Sequence, residues 1–112
     1  MTILAIAEMY AISAGAEELA ARLRSFERAA SGAPGCRRST FSASLTDPDS
    51  FLLVSEWDSQ AALDAHYAST LFADFQSGLH GLLARPSDLT VYTADSVVKP
   101  VDSSPMDPRD AD

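Results

Sequence analysis

Residues 51–69 read FLLVSEWDSQAALDAHYAS, a stretch in which the spacing of apolar residues changes halfway. Its first four residues are apolar on both faces of an extended chain, which predicts a strand from Phe51 to Trp57. Asp58 is a favourable N-cap residue, and a helix is predicted from Ser59 to about Ala68. The stretch therefore predicts a strand that leads directly into a helix, with the only Trp of the chain at the end of the strand.

The residues before this stretch predict a strand, a helix and a second strand. Residues 2–11 alternate bulky and small apolar side chains, as one strand does. The helix that follows carries one apolar stripe, made of Leu19, Leu23, Phe26 and Ala30. A polar strand is predicted from about Cys36 to Leu45, and the short turn at residues 46–50 predicts an antiparallel hairpin with the next strand.

The residues after it predict one more helix and one more strand. A helical segment is predicted from about Leu71 to Leu83, ended by Arg85 and Pro86, and a fourth strand covers residues 89–93. The order βαββαβ, with its second helix split in two, predicts an α+β protein of the ferredoxin-like class, in which one four-stranded antiparallel sheet carries helices on a single face. We expect the other face to be covered by a second copy of the chain.

Length and the acidic end of the chain set the domain organisation. A chain of 112 residues is long enough for one domain, which we place at residues 1–95. Residues 96–112 hold three Pro among Asp and Ser without any periodicity, and we expect this tail to be disordered.

Composition and charge exclude several classes of function. The net charge is −8 and no basic stripe is present, so nucleic acid and anionic membranes are unfavourable partners. No run approaches the roughly 20 apolar residues that cross a bilayer. Cys36 is the only Cys, which excludes an intramolecular disulfide, and the two His show no metal-binding spacing. The start of the chain lacks the features of a secretory leader, so we expect a cytoplasmic protein without a metal site.

Several short motifs, in this order of elements, resemble one known family. They are Pro34-Gly35 before the second strand, Glu56-Trp57 at the end of the third, and Ala62-Leu63 with His66, Ser69, Phe72 and Phe75 on the following helices. They make residues 2–94 similar to the antibiotic biosynthesis monooxygenase (ABM) family, of the dimeric α+β barrel superfamily. The resemblance implies a homodimer of ferredoxin-like domains packed through their sheets, with a pocket between the sheet and the helices of each subunit.

The family includes oxygenases that use no metal, flavin or haem, and the resemblance implies such chemistry here. They oxidise electron-rich aromatics such as anthrones and hydroquinones to quinones with O2. Such a substrate, once deprotonated, can itself pass an electron to oxygen, so the protein needs a base, a hydrogen bond to the phenolate and an apolar cage. No cofactor is therefore expected. The family also contains isomerases and members without an established activity, so the fold alone does not fix the function.

The haem-degrading branch of the family is disfavoured by the residues that it requires. That branch uses an Asn of the first strand, whereas this chain contains no Asn. By alignment, His66 stands where the branch has its Trp, and Phe75 stands where it has its haem-ligating His.

His66 is the candidate general base, because an ordinary pKa near 6.5 suits proton abstraction at neutral pH. A structural helix histidine is an equally good interpretation of it. Tyr67, as a catalytic partner, and Tyr10 are candidates for a hydrogen bond to a substrate oxygen, although both are more commonly half-buried aromatics. Arg38 on the polar strand could hold a phenolate, although such an Arg more commonly pairs with an acid.

Trp57, Phe72 and Phe75 are the candidate aromatic walls of a substrate pocket, and each is also explained as core. Three functions remain open. The first is the cofactor-independent monooxygenase, and the second is non-oxidative binding or isomerisation of a small aromatic in the same pocket. The third is a dimer whose pocket is filled by its own side chains, for which we expect no cavity of a few hundred cubic ångströms.

Overall fold

The structure is a computed structural model that describes residues 1–98. Its elements are β1 (Thr2–Tyr10), α1 (Ala16–Ala30), β2 (Cys36–Ala43), β3 (Ser50–Trp57), α2 (Gln60–Tyr67), α3 (Thr70–Leu79) and β4 (Asp88–Ala94). This order confirms the predicted α+β ferredoxin-like class, with the second helix divided into α2 and α3. From residue 99 on, the tail that we expect to be disordered lies outside the described residues.

The four strands form one antiparallel sheet in the order β2-β3-β1-β4. The two strands with the most apolar sequences, β1 and β3, lie at its centre, and the polar β2 lies at an edge. Ile3 of β1 pairs with Trp57 of β3 on one side and with Thr93 of β4 on the other. Because paired residues point to the same face, this register decides which side chains meet the helices.

The alternation along β1 decides what lies beneath the helices. The four buried residues on its helix-facing side are Ile3, Ala5, Ala7 and Met9. The bulky residues of the alternation, Leu4 and Ile6, therefore point to the opposite face of the sheet. The two small residues, Ala5 and Ala7, occupy the middle of the helix-facing side, so the sheet leaves room there.

The apolar stripe predicted for α1 is confirmed. Its four buried residues are Leu19, Leu23, Phe26 and Ala30. Glu17 and Glu18 in the first turn and Arg28 in the last turn oppose the helix dipole at each end.

The predicted N-cap of α2 is wrong by one residue. Ser59, not Asp58, caps the helix, because its hydroxyl accepts a hydrogen bond from the backbone N–H of Ala62. The carboxylate of Asp58 instead pairs with the guanidinium of Arg37. Both residue types can cap a helix, and the tertiary partner of Asp58 decides between them.

The predicted end of α3 is also wrong, because the helix stops at Leu79 instead of Leu83. His80 leaves the helical conformation with a ψ of 125°, and Gly81 follows in the left-handed region with a φ of +82°. The next residues are tied to the end of β1, since the N–H of Ile12 donates to Leu82 O at 2.8 Å and the N–H of Ala84 donates to Tyr10 O at 2.7 Å.

Strand β2 is shorter than predicted and contains an irregularity. It ends at Ala43, and Leu45 beyond it is fully exposed. Cys36 pairs with Trp57 and Arg38 with Glu56, so Arg37 is an extra residue that interrupts the alternation.

The sheet has a second face that no helix of residues 1–98 covers, which we call the open face. Its apolar residues are Leu4, Ile6, Leu52, Val54 and Tyr92, of which the first four are half-buried and Tyr92 is 53% exposed. Within residues 1–98, no helix is both long and apolar enough to cross a membrane.

Candidate functional site

A cavity of about 110 Å³ lies between the helix-facing side of the sheet and the helices. It is lined by Ala5, Ala7, Met9, Phe26, Ser39, Leu53, Ser55, His66, Tyr67, Phe72, Phe75, Gln76, Leu79, Ser87 and Leu89. The lining contains no Asp, Glu, Lys or Arg from the described part of the chain. The cavity is therefore suited to an uncharged, largely apolar ligand.

The floor of the cavity consists of two rows of paired residues across the sheet. One row joins Ser39, Ser55 and Ala5, and the other joins Leu53, Ala7 and Leu89. Larger residues close both ends of the floor, since the flanking rows contain Trp57 with Ile3 and Phe51 with Met9. The cavity thus follows from small residues in the middle of the central strands.

The roof of the cavity is a cluster of rings from α1, α2 and α3. The His66 ring centroid lies 5.5 Å from that of Phe26, 5.8 Å from that of Tyr67 and 5.5 Å from that of Phe72. Phe26 and Phe75 are stacked at 4.0 Å. Ser59 caps α2 and Ser69 caps α3, so these two serines fix where the helices that carry His66, Tyr67, Phe72 and Phe75 begin.

His66 is buried, with 7% of its surface exposed. Its side chain has no hydrogen-bond partner among residues 1–98, and no unpaired polar side-chain atom there is sealed from solvent. The ring nitrogens therefore keep some accessible surface, and His66 lines both this cavity and a second hollow beside Ala62 and Ser69. Burial lowers the pKa of His66, because it disfavours the charged imidazolium. At neutral pH the imidazole is neutral and can accept a proton.

Trp57 is completely buried and does not line the cavity. Its ring lies 4.7 Å from that of His66, and its indole N–H donates to Ser55 Oγ at 2.9 Å. Trp57 therefore does not form a wall of the cavity as predicted. It lies behind His66 and Ser55, which line the cavity in its place.

The structure brings four of the predicted site residues together in the cavity lining: His66, Tyr67, Phe72 and Phe75. Burial raises the pKa of the Tyr67 hydroxyl, and the nearby carboxylate of Asp64 raises it further, so Tyr67 is a protonated hydrogen-bond donor at neutral pH.

Tyr10 and Arg38 lie outside the cavity, on the other side of the sheet from it. The Tyr10 hydroxyl donates to Glu8 at 3.1 Å, and the Arg85 guanidinium lies 3.6 Å from the centre of the Tyr10 ring. Arg38 lies 3.9 Å from Glu56. The prediction that Tyr10 and Arg38 lie at the pocket is therefore wrong, because the register of β1 and β2 points both side chains away from the helices.

Four polar residues of the lining were missed by the sequence reasoning: Ser39, Ser55, Gln76 and Ser87. A usable signal exists for Ser55, because it lies two residues before Trp57 on a strand and therefore shares its face. No comparable signal exists for Gln76 or Ser87, whose positions depend on how α3 and β4 pack.

The cavity adjoins the surface near the start of β4. An open crevice adjoins the cavity, and the two share three lining residues, Gln76, Leu79 and Ser87. The other residues of the crevice are His80, Gly81 and residues 83–86. Leu89 lines the cavity and is nevertheless 46% exposed, because the helices do not reach over β4. A ligand would enter between α3 and β4.

Metal and thiol chemistry find little support in the described part of the chain. No group of three or more His, Cys, Asp or Glu side chains in residues 1–98 could hold a metal ion. Cys36 is half-buried, and burial is the main cause that raises the pKa of its thiol, which makes it a poor nucleophile.

Comparison with known proteins gives a consistent assignment. The family described as "Antibiotic biosynthesis monooxygenase" (ABM) matches residues 2–78. An uncharacterised protein of Synechocystis sp. is 33% identical over 76 residues, which are 68% of this chain and 52% of the relative, so the chain spans about half of that relative's length.

Two solved structures show the same fold. One from Mycobacterium tuberculosis has a TM-score of 0.81 at 22% identity and covers 88% of this chain and 100% of its own. One from Deinococcus radiodurans, described as a candidate antibiotic biosynthesis monooxygenase, has a TM-score of 0.83 at 22% identity and covers 89% and 99%. Because the family match extends over well more than half of the sequence, the chain belongs to the antibiotic biosynthesis monooxygenase family.

Proposed function

We propose that the protein is a monooxygenase that uses O2 and no cofactor to oxidise an electron-rich phenolic aromatic, of the anthrone or hydroquinone type, to a quinone. Membership of the family supports the monooxygenase activity. The observation that carries the proposal is His66, a buried imidazole with a lowered pKa beside a cavity of aromatic rings. A neutral base in an uncharged, apolar site suits proton abstraction from a phenol or an activated ring carbon.

The proposed reaction balances for an anthrone. Neutral His66 removes a proton from the ring carbon to be oxidised, and the resulting anion passes one electron to O2. The substrate radical and superoxide combine in a C–O bond, and His66 returns its proton to the outer peroxide oxygen. Loss of the second proton from that carbon breaks the O–O bond, which leaves the quinone carbonyl and releases water. One oxygen atom enters the product and the other leaves as water.

The size of the cavity restricts how a substrate would bind. An engineered protein cavity of about 150 Å³ holds one benzene molecule, so a volume of about 110 Å³ accommodates roughly one ring. A substrate with two or three fused rings would place its reacting ring against His66. Its other rings would then extend between Gln76 and Ser87 into the crevice.

A role in secondary metabolism and a cytoplasmic location belong to the same proposal. The name of the family supports the first. The second is supported by the single Cys36, since a chain with one Cys forms no intramolecular disulfide and needs no oxidising compartment.

The test is oxygen consumption by the purified, chelator-treated protein with anthrones and naphthohydroquinones, followed together with quinone absorbance. We expect stoichiometric uptake above the spontaneous rate. His66→Gln should lower turnover by about 100-fold or more, because it removes the base. Arg24→Gln, at an exposed residue of α1 that lines neither the cavity nor the crevice, is the control and should keep the wild-type rate. Wild-type turnover in a folded His66→Gln protein would remove His66 from the mechanism.

The cavity volume of about 110 Å³ is below a few hundred cubic ångströms, so it also fits the third candidate, a pocket filled by its own side chains. It favours a second candidate function, the non-oxidative binding or isomerisation of a small monocyclic aromatic. A space of about 110 Å³ is small for a tricyclic substrate but sufficient for a single ring. This function predicts thermal stabilisation by such a ligand without any oxygen uptake. If the protein consumes no oxygen with any compound tested, this second function becomes the better explanation of the site.

We also propose that the protein is a homodimer joined through the open face. The half-buried apolar residues of that face, such as Ile6 and Val54 on the central strands, support this arrangement. An antiparallel sheet with helices on one side commonly buries its other side against a second layer.

A further inference from the structure

Two serine hydroxyls lie side by side on the otherwise apolar floor of the cavity. Ser39 of β2 and Ser55 of β3 are directly paired across the sheet, and both line the cavity. Side chains of such a pair have Cβ atoms about 4.5–5.5 Å apart. The two hydroxyls can therefore approach the same ligand atom.

The hydrogen-bond partner of Ser55 fixes the direction of its proton. The indole N–H of Trp57 is only a donor, so at 2.9 Å it uses Ser55 Oγ as an acceptor. The O–H of Ser55 must then point elsewhere, and within residues 1–98 it has no protein acceptor. Because Ser55 lines the cavity, this O–H is available to a ligand.

Ser39 is in a similar situation. It is only 7% exposed, and its hydroxyl has no hydrogen-bond partner in the described part of the chain. No unpaired polar side-chain atom of residues 1–98 is fully enclosed, so the Ser39 hydroxyl keeps some accessible surface, and Ser39 lines the cavity. Its neighbours on the floor, Ala5, Ala7 and Leu53, offer no competing acceptor side chain.

We propose that Ser55 and Ser39 bind an oxygen atom of the ligand, and that Trp57 is the residue that positions Ser55. The ligand class is an uncharged aromatic with a carbonyl or phenolic oxygen directed at the sheet, because no cation in the lining would compensate a carboxylate. The identity of that oxygen as the substrate's reacting phenolate or carbonyl rests on the function proposed above.

The same arrangement explains the contact of Trp57 with two parts of the site. Its ring lies against His66 at 4.7 Å, and its N–H bonds to Ser55. When His66 removes a proton, negative charge develops on the substrate oxygen. An oriented O–H in an uncharged cavity stabilises this charge better than a freely rotating one.

Binding can be tested without turnover by two probes of nearly the same shape, acetophenone and α-methylstyrene. The first carries a carbonyl oxygen where the second carries a methylene group. Trp57 is the only Trp, so its indole N–H gives one signal in the 1H–15N NMR spectrum that reports directly on the Ser55 bond. We expect acetophenone to bind wild-type protein about tenfold more tightly, because only it accepts a hydrogen bond. Equal affinities, or no shift with either probe, would overturn the proposal.

Variants identify the residues that cause the preference for acetophenone over α-methylstyrene. Ser55→Ala should lower the preference for acetophenone most strongly, whereas Ser55→Thr, which keeps the hydroxyl, should retain it. Ser39→Ala should reduce it. A preference that survives unchanged in a Ser55→Ala/Ser39→Ala double variant would assign the oxygen to another residue, and the comparison in wild-type protein decides the matter if a variant does not fold.

The positioning role of Trp57 has its own readout. Trp57→Phe removes the N–H but keeps an aromatic ring, so it should weaken the acetophenone preference in the presence of Ser55 and have no further effect on it in Ser55→Ala. Additive effects would make Trp57 a packing residue only. If the preference behaves as expected but no anthrone consumes oxygen, the serine site stands and the oxygenase function fails. If oxygen is consumed, but Ser55→Ala turns over at the wild-type rate and keeps the preference for acetophenone, the oxygenase function stands and the serine site fails.

Discussion

The environment of His66 is set by four aromatic rings, those of Phe26, Trp57, Tyr67 and Phe72. Rings bury the imidazole without offering it a counter-charge, which is why its pKa is lowered. A histidine held this way is more completely unprotonated at neutral pH than one paired with a carboxylate, but its lowered pKa also makes it a weaker base, so proton transfer to it requires that the site stabilises the substrate anion.

The lowered pKa of His66 predicts a pH dependence of stability. In the unfolded chain the pKa returns to about 6.5, so as pH falls below that value the unfolded state binds a proton that the folded state does not. The free energy of unfolding should therefore be highest above pH 6.5 and should fall as pH decreases towards the lower folded pKa, by at most about 1.4 kcal/mol per pH unit. Urea unfolding at pH 7.5, 6.5 and 5.5, at one fixed protein concentration, measures this.

A matched pair of variants isolates that contribution. His66→Gln should remove this component of the pH dependence, and His80→Gln should leave it in place because His80 is exposed. An identical pH dependence in wild-type protein and His66→Gln would show that other groups cause it.

Individual site residues were predictable from the sequence only where the residue type itself suggests chemistry. His66 and Tyr67 were found in this way, and the structure groups them with Phe72 and Phe75. Ser39 and Ser55 were not found, because a serine in a strand carries no signal until its face is known. Tyr10 and Arg38 were assigned to the pocket for their chemistry alone, and the faces on which they lie decided otherwise.

At the scale of elements, the position of α2 depends on a close approach between the turn after α1 and the helix itself. Gly35 has a φ of +79°, and a Cβ at this residue would lie 2.5 Å from the Cβ of Ala62. Only a residue without a side chain allows α2, which carries His66, to lie this close to the start of β2.

Gly35→Ala should therefore destabilise the protein by about 2 kcal/mol, from both backbone strain and the contact with Ala62. Gly32→Ala is the control in the same turn, because a Cβ there would be 3.7 Å from its nearest neighbour and the φ of Gly32 is not in the left-handed region. Its effect should stay within about 0.5 kcal/mol. Chemical denaturation measures both, and equal losses would contradict the steric argument.

The cap of α2 gives a second prediction. Ser59→Ala removes the hydrogen bond to the Ala62 N–H and should cost about 1 kcal/mol. Asp58→Ala breaks an exposed ion pair with Arg37 and should cost less. The reverse order of the two losses, measured by urea denaturation, would mean that Asp58 is the true cap.

Element order and type could be predicted from hydrophobic periodicity, but element ends could not. The end of α3 moved from Leu83 to Leu79 because residues 82–84 bond to the end of β1, a contact that no local pattern contains. The extra residue in β2, Arg37, places Cys36 beside Trp57 and turns Arg38 to the other face, whereas strict alternation puts Cys36 and Arg38 on one face.

At the scale of the whole molecule, the open face is the part that a single copy leaves unfinished. A domain of about 100 residues buries only about two-thirds of its unfolded surface, so a second layer over this face would add to its stability. Val54 lies on the central strand β3, paired with Ile6 of β1 and Thr40 of β2, and it marks the middle of the face.

Val54→Lys should convert a dimer into a monomer, because it would bury an unpaired charge in the interface. Size-exclusion chromatography with light scattering measures the mass directly. Ala21→Lys makes the same change of charge on the exposed side of α1 and should leave the mass unchanged. A monomeric wild-type protein, or a dimeric Val54→Lys protein, would place the contact elsewhere or remove it.

The uncovered strand β4 has a consequence for how ligands could be detected. It is an edge strand, and Leu89 and Val91 on its helix-facing side are 46% and 40% exposed. Its backbone amides should therefore be among the first of the sheet to exchange with heavy water, since so little must open to expose them. A compound that fills the cavity against Leu89 would slow deuterium uptake along β4, so mass spectrometry could screen for ligands without knowledge of the reaction.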